Sequence, residues 1–204
     1  NSLANGKIVK NTGFENIYIS PNPGDAGASV GSCLSFLSNK YSNFNNFSPY
    51  LGSQYDNNYI EEILKQKNFN KKYKIQFIRD EGLFEFTAEL LNQSNIVSWF
   101  QNRAEWGPRA LGNRSILADP RIKNISEFLN KKIKKREDFR PFAPSVLEDE
   151  MHNWFEADSE IPYMSEVKIF KNKKKNLVPA VVHIDGTGRV QTVSKKNNYR
   201  YFKL

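Results

Sequence analysis

Several kinds of residue and segment are scarce in this sequence of 204 residues, and each scarcity excludes a class of protein. The one cysteine, Cys33, excludes an internal disulfide framework and a metal site with several cysteine ligands, and it suits a reducing compartment. No run of about 18 apolar residues exists, so no membrane span is predicted. The first residues lack the basic and apolar regions of a secretory signal, so we expect a cytoplasmic protein.

Familiar phosphate-binding and metal-binding motifs are also missing. The sequence contains no Walker A motif, no G-x-G-x-x-G, no H-E-x-x-H and no C-x-x-C. Its two histidines are His152 and His183. We find no internal repeat and no low-complexity tract. If the protein binds a nucleotide or a metal, it therefore uses a different arrangement of residues.

The composition allows a packed core and favours an acidic partner. Hydrophobic residues make up 39% of the chain and aromatic residues 13%, which is enough to exclude wholesale disorder. The net charge is +8. Such a surplus favours nucleic acid, an anionic membrane surface or phosphorylated small molecules, without choosing among them.

The densest group of charged and polar residues lies in residues 101–115, directly after the apolar run 96–100, which is typical of a buried strand. Three arginines fall in this stretch: Arg103, Arg109 and Arg114. Gly107 and Pro108 precede Arg109, and proline is tolerated in the first turn of a helix. The pattern predicts a short helix whose N-terminal amides and nearby guanidinium groups bind an anion. The alternative is a surface helix with an ordinary mixture of charges.

The rest of the chain alternates between helical and strand patterns, which indicates an α/β (α+β) fold. We predict helices at residues 26–38, 59–69, 83–91, 122–135 and 148–156. We predict strands at residues 17–19, 73–78, 96–100 and 163–170, a loop at 171–176, and two hairpin strands within 180–193. Residues 39–58 have the composition of a linker, so we place a domain boundary near Ser48 and divide the chain into 1–47 and 48–204.

Four further features carry alternatives. Asp25 is either the N-cap of the predicted helix or a carboxylate for a metal or phosphate ligand. The basic run 131–136 is explained by solvation at a helix C-terminus. Arg140 lies between aromatic and proline residues, so we expect its side chain to be held in place and not simply solvated. His183 is either a core residue or, together with Asp185, Thr187, Arg189 and Gln191 at one hairpin end, part of a site.

These motifs closely resemble a known family. Residues 101–120, 133–147, 163–165 and 183–193 resemble the C-terminal domain of the O-carbamoyltransferases of the nodulation and antibiotic type. The segment Glu-Trp-Gly-Pro-Arg-Ala-Leu-Gly-Asn-Arg-Ser, residues 105–115, is highly specific for it. Residues 4–32 resemble the end of the family's N-terminal domain. The resemblance implies a C-terminal domain similar to the threonylcarbamoyl-adenylate synthase fold, with a twisted mixed sheet, preceded by the tail of an actin/hexokinase-like domain.

The resemblance also implies a reaction in two sites. The C-terminal domain would form carbamoyl-adenylate from carbamoyl phosphate and ATP with Mg, releasing pyrophosphate. The N-terminal domain, with a divalent metal of the iron type, would transfer the carbamoyl group to a hydroxyl of a small-molecule or saccharide acceptor. Arginine suits such a site because its planar fork binds phosphate oxygens in pairs.

The family's functional residues map onto this chain by the same resemblance. The catalytic set that it implies consists of Arg109, Lys134, Arg140 and Arg189. The implied substrate-binding and ATP-binding set consists of Arg103, Arg114, Ser115, His183, Asp185, Thr187 and Gln191. Asp25 matches the family's metal-binding aspartate.

The chain departs from the family in several places. The family's pair of metal-binding histidines has no counterpart, since both histidines lie in the predicted C-terminal domain. The chain ends at Leu204, before an Asn-Thr-Ser-Phe-Asn-like segment, and Asn102 and Ala104 replace the usual Gly and Met. We therefore expect a fragment that alone is inactive or only partly active. The alternatives are a nucleic-acid-binding module of similar fold and an inactive remnant.

Overall fold

The computed structural model describes residues 1–38, 48–157 and 159–204. Within these ranges the helices are α1 Ser2–Asn11, α2 Asp25–Ser38, α3 Asn57–Gln66, α4 Asp80–Asn92, α5 Ile125–Phe128, α6 Met151–Trp154, α7 Asn172–Lys175 and α8 Tyr199–Lys203. The strands are β1 Val97–Phe100, β2 Arg114–Leu117, β3 Ser145–Leu147, β4 Val167–Ile169, β5 Thr187–Arg189 and β6 Gln191–Val193. A π-helical turn, Leu129–Lys134, continues α5.

The strands of the described ranges form three separate pairs. Strands β1 and β2 are antiparallel, with Trp99 opposite Ser115. Strands β4 and β5 are also antiparallel, whereas β3 and β6 are parallel. Helices and small sheets with both kinds of pairing confirm a mixed α and β fold of the α+β type.

The main core lies in the C-terminal half of the chain. Its buried members are Met151, Phe155, Ile161, Phe170, Val178, Val181 and Val190. The rings of Phe155 and Phe170 lie 4.2 Å apart, centroid to centroid. A Cβ atom at Gly188 would lie 2.5 Å from the Phe170 ring, so only glycine lets β5 approach it this closely. Burying each large side chain contributes about 2 kcal/mol to stability.

The first three helices have no buried residue. Helix α1 begins at Asn1, whose side chain accepts hydrogen bonds from the amides of Leu3 and Ala4, a common N-cap arrangement. It then contacts the strand β4 region, where Asn5 Nδ2 donates to the Ser165 carbonyl at 2.9 Å. The first segment of the chain therefore packs on the core-forming half from outside.

Most of the predicted helices are confirmed. Helices α2, α3 and α4 correspond to the predictions at 26–38, 59–69 and 83–91, and β1 corresponds to the predicted strand at 96–100. The predicted helix 122–135 is shorter, because it begins at Ile125. The predicted helix 148–156 is present as a 3₁₀ turn followed by α6. The predicted strand 163–170 is shortened to β4, with Phe170 adding a single bridge to Phe155.

Two predicted strands are wrong. Residues 17–19 and 73–78 form no strand with any of the described residues. Tyr18 is 81% exposed and Phe77 is 84% exposed, so neighbouring residues cover little of their apolar surface. Alternating apolar residues form a strand only where a neighbouring strand accepts their backbone hydrogen bonds.

The end of the chain also differs from its prediction in two places. Residues 171–176 contain the short helix α7 and not a loop alone. The first predicted hairpin arm is wrong, because Pro179–Val181 forms a 3₁₀ turn, and β5 pairs instead with β4. Proline cannot donate to a strand ladder, which explains this change.

Part of the predicted linker, residues 39–47, lies outside the described residues. The described residues 48–53 are held against residues 104–106 by three backbone hydrogen bonds, one of them from Gly52 to the Ala104 carbonyl at 2.9 Å. The boundary near Ser48 stays a prediction. No helix in the described part of the chain is both long and apolar enough to cross a membrane.

Candidate functional site

Residues 101–113 connect β1 to β2 as an irregular loop, so the predicted helix at Pro108 and Arg109 is wrong. The carboxylate of Glu105 explains the difference. Its Oε1 atom accepts hydrogen bonds from the backbone amides of Leu111, Asn113 and Arg114, at 2.6, 2.9 and 3.3 Å. The backbone amides of this motif therefore bind a carboxylate of the chain itself, and the anion site predicted on a helix N-terminus is not formed here.

Glycine at position 112 allows this loop to close against helix α8. Gly112 has a φ of 102°, in the left-handed region that favours glycine. A Cβ atom there would lie 2.4 Å from the Tyr201 ring. Any larger residue would therefore push α8 away from the loop.

Two of the three arginines in the motif bind backbone carbonyls. The guanidinium group of Arg114 donates to the carbonyls of Gln101, Asn102, Ser53 and Asn113. It also lies over the Phe100 ring, with Cζ 3.6 Å from the centroid. Arg103 donates to the Leu51 carbonyl at 3.0 Å. These contacts hold the loop to the 48–53 segment, and neither side chain lines the cavity described below.

A buried group of amide side chains lies beneath the loop. Asn113 Oδ1 accepts from Gln101 Nε2 at 3.0 Å and from Asn198 Nδ2 at 2.9 Å. Asn198 Nδ2 also donates to the Tyr50 hydroxyl, which donates to the Leu111 carbonyl at 3.0 Å. Burial raises the pKa of Tyr50 to about 12. This network fixes the loop to the start of α8.

Next to this scaffold lies a cavity of about 650 Å³. That volume falls in the range of small-molecule sites in proteins. Its charged lining side chains in the described structure are all cations: Arg109, Lys134, Arg136, Arg189 and Lys203. No aspartate or glutamate side chain of the described residues lines it. The remaining lining is largely apolar, so the cavity combines an apolar volume with concentrated positive charge.

Arg189 shows most clearly that the positive charge of the cavity lacks a counter-charge among the described side chains. Its Nε atom is buried and has no hydrogen-bond partner among the described residues. Burial lowers the pKa of Arg189 to about 10, and the neighbouring charges of Arg109 and Arg136 act in the same direction. The group stays charged at neutral pH, so an anion in the cavity would relieve both the repulsion and the missing hydrogen bond.

The structure brings some of the predicted site residues together and not others. Five line the cavity: Arg109, Lys134, Arg189, Ser115 and Gln191. Gln191 is held by Ser145, which donates to its Oε1 at 3.1 Å, and by its own bond to the Leu111 carbonyl at 3.0 Å. Arg140 does not line it, and forms an exposed ion pair with Glu137 at 2.7 Å.

His183, Asp185 and Thr187 form a tight turn behind the cavity wall. The Thr187 hydroxyl donates to Asp185 Oδ1 at 2.7 Å and lies 3.0 Å from His183 Nδ1. Because the hydroxyl hydrogen is used, Nδ1 carries the imidazole proton, and Nε2 is a buried acceptor without a partner among the described residues. Burial lowers the pKa of His183. The hydrogen bonds from Thr187 lower the pKa of Asp185.

Asp25 is the first residue of α2, and its side chain is exposed. Among the residues that the structure describes, no group of three His, Cys, Asp or Glu side chains could hold a metal ion. The described residues thus offer one carboxylate and no metal centre around it. A metal-binding role for Asp25 stays a prediction.

Among the polar or charged residues that line the cavity, the sequence analysis missed Arg136, Ser145, Tyr201 and Lys203. Arg136 was included in a basic run explained by solvation. The available signal was its place directly after the predicted helix 122–135; in the structure Lys135, with a φ of 47°, turns the chain at this point. Tyr201 donates to Ser145 Oγ at 2.9 Å, and burial raises the pKa of Tyr201. Neither Ser145 nor Tyr201 had a sequence signal of its own.

Comparison with known proteins decides the family. The family model described as "Carbamoyltransferase C-terminus" matches residues 88–204. The chain belongs to this family. The matched range contains both the loop of residues 101–113 and every lining residue of the cavity.

Relatives among curated proteins agree with the family model. The chain is 38% identical to the uncharacterized protein sll1178 of Synechocystis, covering 100% of this chain and 37% of that protein. It is 36% identical to nodulation protein NolNO of Sinorhizobium fredii, covering 100% of this chain and 30% of that protein. It is 31% identical to nodulation protein U of Rhizobium fredii, covering 94% and 31%. The chain therefore spans about a third of the length of these relatives.

Proposed function

We propose that this chain provides the adenylate-forming part of an ATP-dependent O-carbamoyltransferase. The observation that carries the proposal is a cavity whose charged lining side chains, among the described residues, are all cations and include Arg189, whose Nε has no partner in that part of the chain. Membership of the carbamoyltransferase family supports it. The substrates proposed for the cavity are carbamoyl phosphate and ATP with Mg, which bring phosphate groups for the cations and an adenosine for the apolar walls.

The proposed reaction balances with one water molecule. Carbamoyl phosphate, ATP and water give carbamoyl-adenylate, orthophosphate and pyrophosphate. Water cleaves carbamoyl phosphate to carbamate and orthophosphate, and a carbamate oxygen then attacks the α-phosphorus of ATP and displaces pyrophosphate. Arg109, Lys134 and Arg189 hold phosphate oxygens and stabilise the charge that develops on the phosphorus and on the leaving group. Catalysis of this kind depends on positioning and electrostatics.

The other predicted residues take supporting roles in this proposal. Ser115 and Gln191 line the cavity. The hydroxyl hydrogen of Ser115 would orient the carbamoyl group, whereas Gln191, bound at both ends of its amide, would support the wall. Arg140 would have to leave Glu137 to reach a substrate. Arg103 and Arg114 hold the loop through backbone carbonyls, and the turn formed by His183, Asp185 and Thr187 supports the wall next to Arg189.

The complete enzyme of this proposal has a second site. We propose that it transfers the carbamoyl group to a hydroxyl of a small-molecule or saccharide acceptor with the aid of a divalent metal such as iron. Asp25 would supply one ligand of that metal. Residues 1–47 would then be the end of an actin/hexokinase-like domain. Residues 48–204 would belong to a domain similar to the threonylcarbamoyl-adenylate synthase fold.

Ligand binding by the 204-residue chain tests the first site. We expect calorimetric titration to detect carbamoyl phosphate and Mg-ATP, and each ligand to raise the thermal midpoint. Arg189→Gln should weaken binding of both by about 100-fold, because a charged hydrogen bond is lost in a poorly solvated place. Arg79→Gln, at an exposed position outside the cavity, is the matched control. A wild-type chain that binds neither ligand would contradict the proposal.

Turnover provides a second test. Labelled pyrophosphate should exchange into ATP when an enzyme containing this chain is supplied with carbamoyl phosphate. Exchange that is absent from the intact enzyme would remove the adenylation step. The competing hypothesis, a nucleic-acid-binding module, predicts affinity for single-stranded or duplex nucleic acid that falls steeply with salt. Part of the positive charge is already engaged within the chain, as in Lys131, which contacts both Glu127 and Asp138.

A further inference from the structure

The cavity contains a cation that belongs to neither of the predicted residue sets. Arg136 follows the π-helical turn Leu129–Lys134, and its side chain reaches the cavity lined by Arg109 and Arg189. We propose that Arg136 is a further anion-binding residue of this cavity and that Asn130 positions it. The inference rests on the proposed function, because it assigns a third guanidinium group to the same phosphate-bearing substrates.

Asn130 holds this part of the chain in place through several hydrogen bonds. It is fully buried, with 0% of its surface exposed. Its Oδ1 accepts from Arg136 Nε at 2.7 Å, and its backbone carbonyl accepts from the Arg136 amide at 3.0 Å. Its Nδ2 donates to the carbonyls of Asp138 and Arg140, at 3.0 and 2.9 Å. One side chain thus fixes both the Arg136 guanidinium and the backbone that follows it.

The rest of the Arg136 guanidinium group is left for a ligand. Nε is bound to Asn130, and the two terminal nitrogens have no hydrogen-bond partner among the described residues. The Cζ atom lies 4.9 Å from the centroid of the Phe142 ring, a cation–π contact that limits the plane of the fork. A fork fixed at Nε and against a ring, with its terminal nitrogens free, presents the geometry that binds two oxygens of one phosphate group.

The charges around Arg136 favour an anion-binding role for this residue over a purely structural role. The adjacent carboxylate, Glu137, forms its ion pair with Arg140. It attracts Arg136 more weakly, and burial together with the charge of Arg140 outweighs it, so the pKa of Arg136 is lowered. Electrostatic repulsion links Arg189 to both Arg136 and Arg109. A guanidinium placed among like charges destabilises the fold unless an anion joins them. Three such groups around one cavity are suited to a phosphoryl or diphosphoryl group.

The test measures anion affinity in the wild-type chain and in Arg136→Gln, Arg136→Lys and Arg79→Gln. The probes are carbamoyl phosphate, inorganic pyrophosphate and Mg-ATP, titrated separately by calorimetry. Arg136→Gln should weaken binding of at least one probe by about tenfold to 100-fold. Arg136→Lys should recover part of that loss, because it restores the charge without the fork. The probe with the largest loss identifies the phosphate group that Arg136 contacts.

The thermal midpoint without ligand separates binding from stability. We expect Arg136→Gln to keep a midpoint close to that of the wild type, since the removed charge is partly repulsive. If Arg136→Gln lowers the midpoint and binds all three probes as tightly as the wild type, Arg136 is only a structural residue and the inference is overturned. A wild-type chain that binds none of the probes overturns the proposed function, and this inference with it.

A double-mutant cycle tests the positioning role of Asn130. Asn130→Ala should weaken anion binding in the wild-type background and have no further effect in the Arg136→Gln background, since the two residues act through one group. Equal effects in both backgrounds would show that Asn130 does not act through Arg136. If Asn130→Ala does not fold, Arg136→Lys still tests the pair, because lysine has no Nε donor for Asn130 and should recover only part of the affinity.

Discussion

The arginines in two regions of this molecule differ in the groups that bind their guanidinium nitrogens. In the loop of residues 101–113, which we call the Glu105 loop, Arg114 at its end binds four backbone carbonyls and Glu105 binds three backbone amides. Around the cavity, Arg109 of the same loop, together with Arg136 and Arg189, forms no ion pair with an acidic side chain among the described residues. The stretch with the densest charge in the sequence thus forms a support in which Arg114 and Glu105 bind backbone groups of the chain itself. The candidate site is formed by cations that are far apart in sequence.

The largest expected effect comes from removing the carboxylate of the Glu105 loop. Glu105→Ala leaves the amides of Leu111, Asn113 and Arg114 without their acceptor. We expect the free energy of unfolding to fall by about 3 kcal/mol, because several backbone donors of a partly buried loop lose a charged partner. Urea denaturation of the variant and the wild type measures this change.

Two further variants make this test specific. Glu105→Gln keeps an oxygen in place and should lose less stability than Glu105→Ala. Glu62→Ala, an exposed position on α3, should change stability by no more than about 0.5 kcal/mol. A Glu105→Ala protein as stable as the Glu62→Ala protein would show that the loop does not depend on this carboxylate.

The second effect concerns Arg114. Arg114→Lys keeps the charge but cannot satisfy four carbonyls or stack on Phe100 in the same way. We expect a loss of about 1.5 kcal/mol in the free energy of unfolding, with little change in the affinity for carbamoyl phosphate. The matched change Arg79→Lys should leave both quantities unaltered. A loss of affinity larger than the loss of stability would place Arg114 in the binding site and remove the distinction between the two regions.

Local signals in the sequence predicted helices α2 to α6 and the strand β1, because apolar spacing and caps act within a few residues. They did not predict the helices α1, α7 and α8. They did not predict which backbone groups Glu105 would bind, since its contacts depend on a loop that returns only when β2 pairs with β1. Nor did they predict that residues 73–78 would lack a strand partner. Family resemblance supplied Arg109, Lys134 and Arg189. Arg136 was missed because a basic run has the same appearance in solvent and at a cavity.

The third effect should have the opposite sign to the first two. Arg189→Met removes a partly buried charge that is repelled by Arg109 and Arg136. We expect stability in the absence of ligand to stay unchanged or to rise by about 1 kcal/mol, because an apolar side chain of similar length replaces an uncompensated ion. Added salt should stabilise the wild type more than the variant, since screening weakens the repulsion.

Chemical denaturation at low and high salt measures both parts of this prediction. A variant that is less stable than the wild type by roughly 1 kcal/mol or more, the loss typical of point mutations, would mean that Arg189 has a stabilising partner. Arg189 would then belong with Arg114 and not with the cavity arginines.

The smallest effect concerns pH and the turn behind the cavity wall. Burial lowers the pKa of His183 below its ordinary value of 6.5, so the folded protein binds this proton less readily than the unfolded chain. The unfolded state therefore carries more protons just below pH 6.5, and stability falls as the pH falls through that range. We expect His183→Asn, which can keep a donor towards Thr187, to reduce this dependence of stability on pH between about pH 7.5 and about pH 5.5.

The control is His152→Gln. His152 is exposed, so this variant should keep the pH dependence of the wild type. A pH dependence that disappears in the His152 variant and persists in the His183 variant would mean that the buried acceptor Nε2 of His183 is not the group that resists protonation.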